Sequence, residues 1–334
     1  MPKHALVVYN PAAGTAVNPD LWLGAIIHRL CEEAEYAVTV MPTRPGMEGR
    51  SLFANVSHPD LVVAAGGDGT VRFVLGACAE SRIRAPVGIL PLGTGNQLAR
   101  NLGIYEDNIL TDPLEDALKV LLEGKPFPID LGLMNGHYFC VAAGAGPLSD
   151  AVILPDHQDK VNWKMLAYAS SMIQTLALPP VTFRLTMIGE SFTVQASGVF
   201  ITNIADLGVG KLSESAEVND GLLDLCVLNP IEFQDYLELG FRFAGGFVGG
   251  KAPYYIRKVS SLLVEVAPEP VRLTRLQEFG HKVKEMFTGK SEPPPPIHKE
   301  VIAMIDGDAC GTTPMQIEVV PGAVAIIAPQ PPEA

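Results

Sequence analysis

Residues 66–70, Gly-Gly-Asp-Gly-Thr, set a carboxylate inside a glycine turn that leaves an apolar run and enters a helix-compatible one. Gly66 and Gly67 let the backbone come close to an anion. A helix opening near Thr70 supplies N–H donors and a partial positive charge that suit phosphate. Asp68 would repel such a ligand unless a cation stood between them. Magnesium shared by a carboxylate and phosphate oxygens is the usual arrangement in phosphoryl transfer. A plain Asx turn is the bland alternative, and the flanking glycines and Thr70 favour the phosphoryl reading. Two more turns repeat the theme: Asn10-Pro11-Ala12-Ala13-Gly14 and Pro91-Leu92-Gly93-Thr94-Gly95-Asn96. The first, taken alone, reads as a structural turn; with the others at one sheet edge it reads as part of an anion cradle. No Gly-Lys-Ser/Thr follows any of them, so none is a Walker A loop, and none is GxGxxG. Far downstream, Asp306-Gly307-Asp308 closes a strand-like run. Transfer to an alcohol benefits from a carboxylate that accepts the hydroxyl proton, and Gly307 lets two carboxylates converge.

The elements that must hold these turns alternate over the first 125 residues or so. Strands are expected at His4–Tyr9, Tyr36–Met41, Leu61–Ala65 and Val87–Leu90. Helices are expected at Leu21–Glu35, around Gly49–Val56, and at Val71–Ala79, Gln97–Asn101 and Leu114–Glu123. Such alternation predicts a Rossmann-like parallel sheet whose ligands sit at the strand C-termini. From Ile129 onward strand-like runs dominate: Ile129–Met134, Tyr138–Ala143, Val181–Ile188, Ser191–Ile201, Leu222–Leu228 and Ser260–Val266. The run resumes with Val301–Ile305, Met315–Val320 and Val324–Ile327. The expected organisation is a nucleotide-binding α/β domain over 1–128 and an antiparallel β-sandwich domain over 129–328. The terminal strands, 301–328, are expected to return toward the first domain. Helices are expected at Val161–Leu176 and Glu232–Phe243; the former reads equally as a core helix or as a lid that touches membrane. Residues 268–299, with five Lys or Arg side chains before Pro293–Pro296, read as an exposed insertion, and the end from Pro329 as frayed.

A formal charge of −13 argues against nucleic acid, which selects a basic surface. Cys31, Cys78, Cys140, Cys226 and Cys310 lie far apart without metal spacing, as reduced cytoplasmic thiols do. The N-terminal apolar run is too short for a secretory signal, and no apolar stretch reaches the ~20 residues of a membrane span.

With these motifs in this order, the chain resembles the diacylglycerol kinase catalytic-domain family, chiefly the soluble bacterial lipid kinases. Sphingosine and ceramide kinases are relatives, and NAD kinases are more distant ones that share the nucleotide loop. Asn10-Pro11 with Gly14, the 66–71 and 91–96 loops, Leu98-Ala99-Arg100, Asn219–Asp224, Ile305–Asp308 and Thr313-Pro314 carry the likeness. It implies ATP at Asn10, Pro11, Gly14, Thr43, Gly66, Gly67, Asp68, Gly69, Thr70, Val71, Arg72, Gly93, Thr94, Gly95 and Asn96. It places Asp68 in a Mg²⁺–water network, and Asp306 and Asp308 at the catalytic position. It also implies a structural Mg²⁺ at Asp220 with the carbonyls of Glu217 and Leu222, against the alternative of a simple turn. The implied activity is phosphorylation of a lipid alcohol such as diacylglycerol, by a cytoplasmic homodimer in transient contact with the membrane surface. A sphingoid base, phosphatidylglycerol or NAD as acceptor, and a weakly catalytic nucleotide-binding regulator, are the alternatives. Two positions depart from the family pattern: Asp308 stands where Glu is common, and Gln97 where the bacterial enzymes carry Asp. The 268–299 stretch is also longer than usual.

Overall fold

The computed structural model describes residues 3–12, 19–56, 58–105, 112–149, 180–207, 212–213, 215–229, 254–268 and 300–329. Gly14, the expected helices at 161–176 and 232–243, and nearly all of 268–299 lie outside them.

The N-terminal half is an α/β unit. Strands β1 (Lys3–Tyr9), β2 (Tyr36–Pro42), β3 (Leu61–Gly66) and β4 (Val87–Pro91) form a parallel sheet in the order β2-β1-β3-β4. β3 reads Leu-Val-Val-Ala-Ala-Gly and every residue is buried, as expected of a strand covered on both faces. Helix α1 (Pro19–His28) continues as a π-helical turn over Arg29–Glu33, and Gly49–Phe53 forms a single 3₁₀ segment. Helix α2 (Asp68–Glu80) buries Thr70, Val71, Val74, Leu75, Ala77 and Cys78, a stripe at helical spacing. It begins three residues before the expected Val71, so Asp68 lies in its first turn. Helix α3 spans Gln97–Asn101, and α4 spans Pro113–Glu123, where Asp112 caps by accepting the Leu114 N–H at 3.0 Å.

The second half is an antiparallel β-sandwich. One layer comprises β5 (Lys125–Met134), β6 (His137–Phe139), β8 (Val181–Met187), β9 (Glu190–Ala196), β13 (Ser261–Val266) and β16 (Met315–Ala328). The facing sheet has the order β12-β11-β10-β7-β14-β15. Its strands are Tyr254–Val259, Leu223–Leu228, Gly198–Thr202, Ala142–Ala145, Ile302–Ile305 and Asp308–Thr312, respectively. Phe139, Phe183, Leu185, Val199, Leu225, Val264 and Ile317 fill the space between the layers. β16 also pairs in parallel with β4 at Ile326–Val87, so the α/β sheet and one sandwich layer form a single ten-stranded sheet among the described residues.

Three sequence expectations are corrected. Tyr138–Ala143 is not one strand: β6 and β7 belong to different layers, and the chain crosses between them at Cys140-Val141. Ser191–Ile201 divides in the same way at Ser197, whose N–H turns to the Leu228 carbonyl. Conversely, Met315–Val320 and Val324–Ile327 are one strand, with an irregular register between Val320 and Val324.

Candidate functional site

Register decides where the loops emerge. Tyr9 lies beside Pro42 and Ala65, and Gly66 beside Pro91. Asn10, Thr43, Gly67 and Leu92 therefore leave the sheet at one edge, as the strand–loop–helix pattern predicts. Thr43 donates its N–H to the Tyr9 carbonyl at 2.7 Å, and Asn10 donates to Ala65 at 3.2 Å. The Asn10 side chain accepts from the Ala12 N–H at 2.9 Å, which holds Pro11 in an Asx turn.

The second and third loops touch backbone to backbone. A Cβ on Gly93 would stand 2.5 Å from the Gly67 Cα, and one on Gly66 would stand 2.5 Å from the Thr70 hydroxyl oxygen. Glycine is required there by this close approach. Asn96 adopts a left-handed backbone (φ 49°) and clamps Gly93, accepting its N–H at 3.0 Å and donating to its carbonyl at 2.8 Å. Asp68 ties the loops together by accepting the Gln97 N–H at 2.6 Å. Burial raises the Asp68 pKa from 3.8; the N–H groups of Gln97, Asn96 and Asp68 itself pull it down, and the nearby charge of Asp306 adds to the net rise.

The Asp306-Gly307-Asp308 turn faces this loop region. Arg72, one helical turn beyond Asp68, donates to the Ile305 carbonyl and to the Asp308 carboxylate, both at 2.8 Å. Asp308 is more than half exposed, so this ion pair contributes only about 0–1 kcal/mol and acts by placing the carboxylate. Asp306 is held differently. Its carboxylate accepts the N–H groups of Cys140, Val141 and Ala142 at 2.8–3.0 Å and the Cys140 thiol at 3.3 Å. These bonds satisfy the amides at the β6–β7 crossing, which is why the strand breaks there. Burial pushes the Cys140 thiol well above its ordinary pKa, and Asp306, Asp68 and Arg72 all act on it electrostatically. Residues distant in sequence thus share one place.

Asp220 lies elsewhere, on the turn before β11. Its carboxylate accepts the Leu222 N–H at 2.9 Å and pairs with the Lys258 ammonium. The hydrogen bond to Asp220 raises the Lys258 pKa, partial desolvation opposes the rise, and the charges of Asp220, Asp224 and Glu217 add to it. Asp130, a residue the sequence reasoning passed over, anchors this turn. It is 2% exposed and accepts the N–H groups of Gly221 at 2.6 Å and Gly322 at 2.7 Å, so it joins the turn to β16. A charged residue inside the apolar run Ile129–Met134 was the available signal. Lys258 carried none, because its partner depends on strand pairing. A cavity of about 260 Å³ lies between the end of α3 and this turn, lined by Asn101, Ile204, Glu217 and Asn219 among others.

The two positions implied for Mg²⁺ differ in fit. A Cβ on Gly95 would stand 2.5 Å from the Asp68 Oδ2 and 3.5 Å from the Gln97 Nε2, and the Gln97 Oε1 is buried without a hydrogen-bond partner. A carboxylate oxygen beside space left by glycine suits a cation shared with phosphate. The Asp220 carboxylate is already matched by an ammonium, and its surroundings do not fit a divalent ion.

Comparison with known proteins gives two family matches. Residues 4–134 match the diacylglycerol kinase catalytic domain, and residues 147–261 match the YegS C-terminal NAD kinase beta sandwich-like domain. A diacylglycerol kinase of Bacillus subtilis (strain 168) is 28% identical over 241 residues, covering 71% of this chain and 77% of that protein. One of Staphylococcus aureus (strain JH9) is 29% identical over 245 residues, covering 72% and 74%. In fold, the chain is similar to a crystal structure of a diacylglycerol kinase from Bacillus anthracis str. Sterne. That likeness has a TM-score of 0.68 and 20% identity, and covers 98% of this chain and 97% of the other.

Proposed function

We propose, from the premise that this chain belongs to the diacylglycerol kinase catalytic-domain family, that it transfers the γ-phosphoryl group of ATP to the hydroxyl of a lipid alcohol, with diacylglycerol the leading acceptor. The observation that carries the reading is Arg72, which reaches from the glycine-loop helix to the Asp308 carboxylate. It couples a phosphate-binding geometry to a carboxylate suited to accept a hydroxyl proton.

The Asn10–Ala12, Gly66–Val71 and Gly93–Asn96 segments would hold the nucleotide at the sheet edge, with Thr43 beside them. Asp68 would hold Mg²⁺, which supplies charge neutralisation at the phosphates when bound. Asp308 accepts the proton of the acceptor hydroxyl as its oxygen attacks the γ-phosphorus and the bond to ADP breaks. Asp306, occupied by three backbone N–H groups, is a positioning residue. Arg72 orients Asp308 in the free enzyme and stands where phosphate charge would collect. No helix among the described residues is long and apolar enough to cross a membrane. The lipid is proposed to be reached by transient contact with the membrane surface, and a homodimer is the proposed assembly.

The test is transfer of labelled γ-phosphate from Mg·ATP to dispersed diacylglycerol, phosphatidylglycerol, sphingosine and ceramide, with NAD as a soluble control. The expected result is a labelled lipid that Asp68→Ala fails to produce. Label on NAD alone would replace the lipid acceptor with a soluble one, and ATP binding without any product would overturn the catalytic reading.

A further inference from the structure

The turn at Asp220 has a cation of its own. One carboxylate oxygen accepts the Leu222 N–H, and the other accepts the ammonium of Lys258. β-sheet register installs that lysine: on β12 it lies directly opposite Asp224 of β11. Asp224 is buried and accepts the hydroxyls of Ser213 and Ser215 at 2.7 and 2.8 Å, so its oxygen is committed. Glu217 adds its charge from the exposed side of the same turn. The ammonium thus answers the acidic group with geometry the backbone fixes. A divalent ion placed at Asp220 would meet that positive charge at close range.

We infer that the Lys258 ammonium takes the place of a divalent cation at the Asp220 turn, so that this turn is held without metal. The inference concerns stability and is independent of the Mg·ATP chemistry at Asp68. Its failure would therefore leave the kinase reading standing.

Thermal unfolding of the full chain, without nucleotide, tests it in EDTA and in millimolar Mg²⁺ or Ca²⁺. The expected wild-type Tm is the same in all three. Lys258→Met keeps the apolar stem and removes the charge. It should unfold several degrees lower in EDTA and recover part of that loss, saturably, as Mg²⁺ or Ca²⁺ is added; Asp220→Asn in the same background should abolish the recovery. A wild-type Tm that falls in EDTA, returns with Mg²⁺ and loses this response in Asp220→Asn would overturn the inference. So would a folded Lys258→Met with no cation response. If that variant does not fold, the metal content of purified wild-type protein decides. Metal-free protein supports the lysine; a stoichiometric ion lost in Asp220→Asn refutes it.

Discussion

Asp68 combines a structural cost with a proposed catalytic role. Its pKa is raised mainly by burial, so the proton favours the folded state. The stability this brings is complete below 3.8 and is lost as pH climbs through the higher folded-state value. Asp68→Asn should therefore be at least as thermostable as wild type at neutral pH, while phosphotransfer disappears. The advantage should shrink as pH falls toward 3.8. Thermal unfolding across pH checks the sign, and a variant markedly less stable at pH 7 would contradict it. Asp308 is exposed and bound only at its edge. Asp308→Asn is expected to lower kcat by at least about 100-fold with little change in the KM for ATP, read from initial rates. Asp68, Asp306 and Asp308 announced themselves in sequence because carboxylates among glycines are conspicuous. Asp130 showed only as a charge inside an apolar run, and Lys258 not at all: their partners, Gly322 and Asp220, lie far along the chain and are brought near by pairing that no local pattern encodes.

At the level of elements, the parallel strands were legible because buried runs such as Leu61–Gly66 end in glycine turns. The sandwich was legible in kind and blurred in detail. A strand that changes layers keeps its apolar character across the crossing, so the Tyr138–Ala143 and Ser191–Ile201 runs gave no mark of a break. Position 140–142 is instead decided by Asp306, whose carboxylate takes three backbone N–H groups. Asp306→Ala would leave them without that acceptor, at about 1–3 kcal/mol for each donor left unsatisfied. Denaturant unfolding should show a loss of about 3 kcal/mol or more, and a change below about 1 kcal/mol would mean that water replaces the carboxylate freely. Gly93→Ala tests the loop contact. The new Cβ would meet the Gly67 Cα at 2.5 Å, so the two loops must part. Nucleotide affinity, measured by calorimetry, should drop by at least about 10-fold while the sandwich stays folded.

For the whole molecule, two of the joints between the halves differ most in kind: Arg72 reaching the 305–308 segment, and β16. The first is a side-chain contact of small energy. The second is a strand that pairs with β5 and β13 and touches β4 as well. Removing residues 315–334 should therefore prevent stable folding of both halves, seen as loss of a cooperative thermal transition; a folded α/β fragment with native-like melting would show that β4 tolerates an open edge. This arrangement also sets an order in time. Val87 leaves the ribosome long before its partner Ile326 is made. At about 5–20 residues per second the edge of β4 waits roughly 10–50 s for completion. During translation the nascent chain thus carries an unfinished sheet edge, and its yield in the cell should depend on elongation speed and on the chaperones that shield that edge.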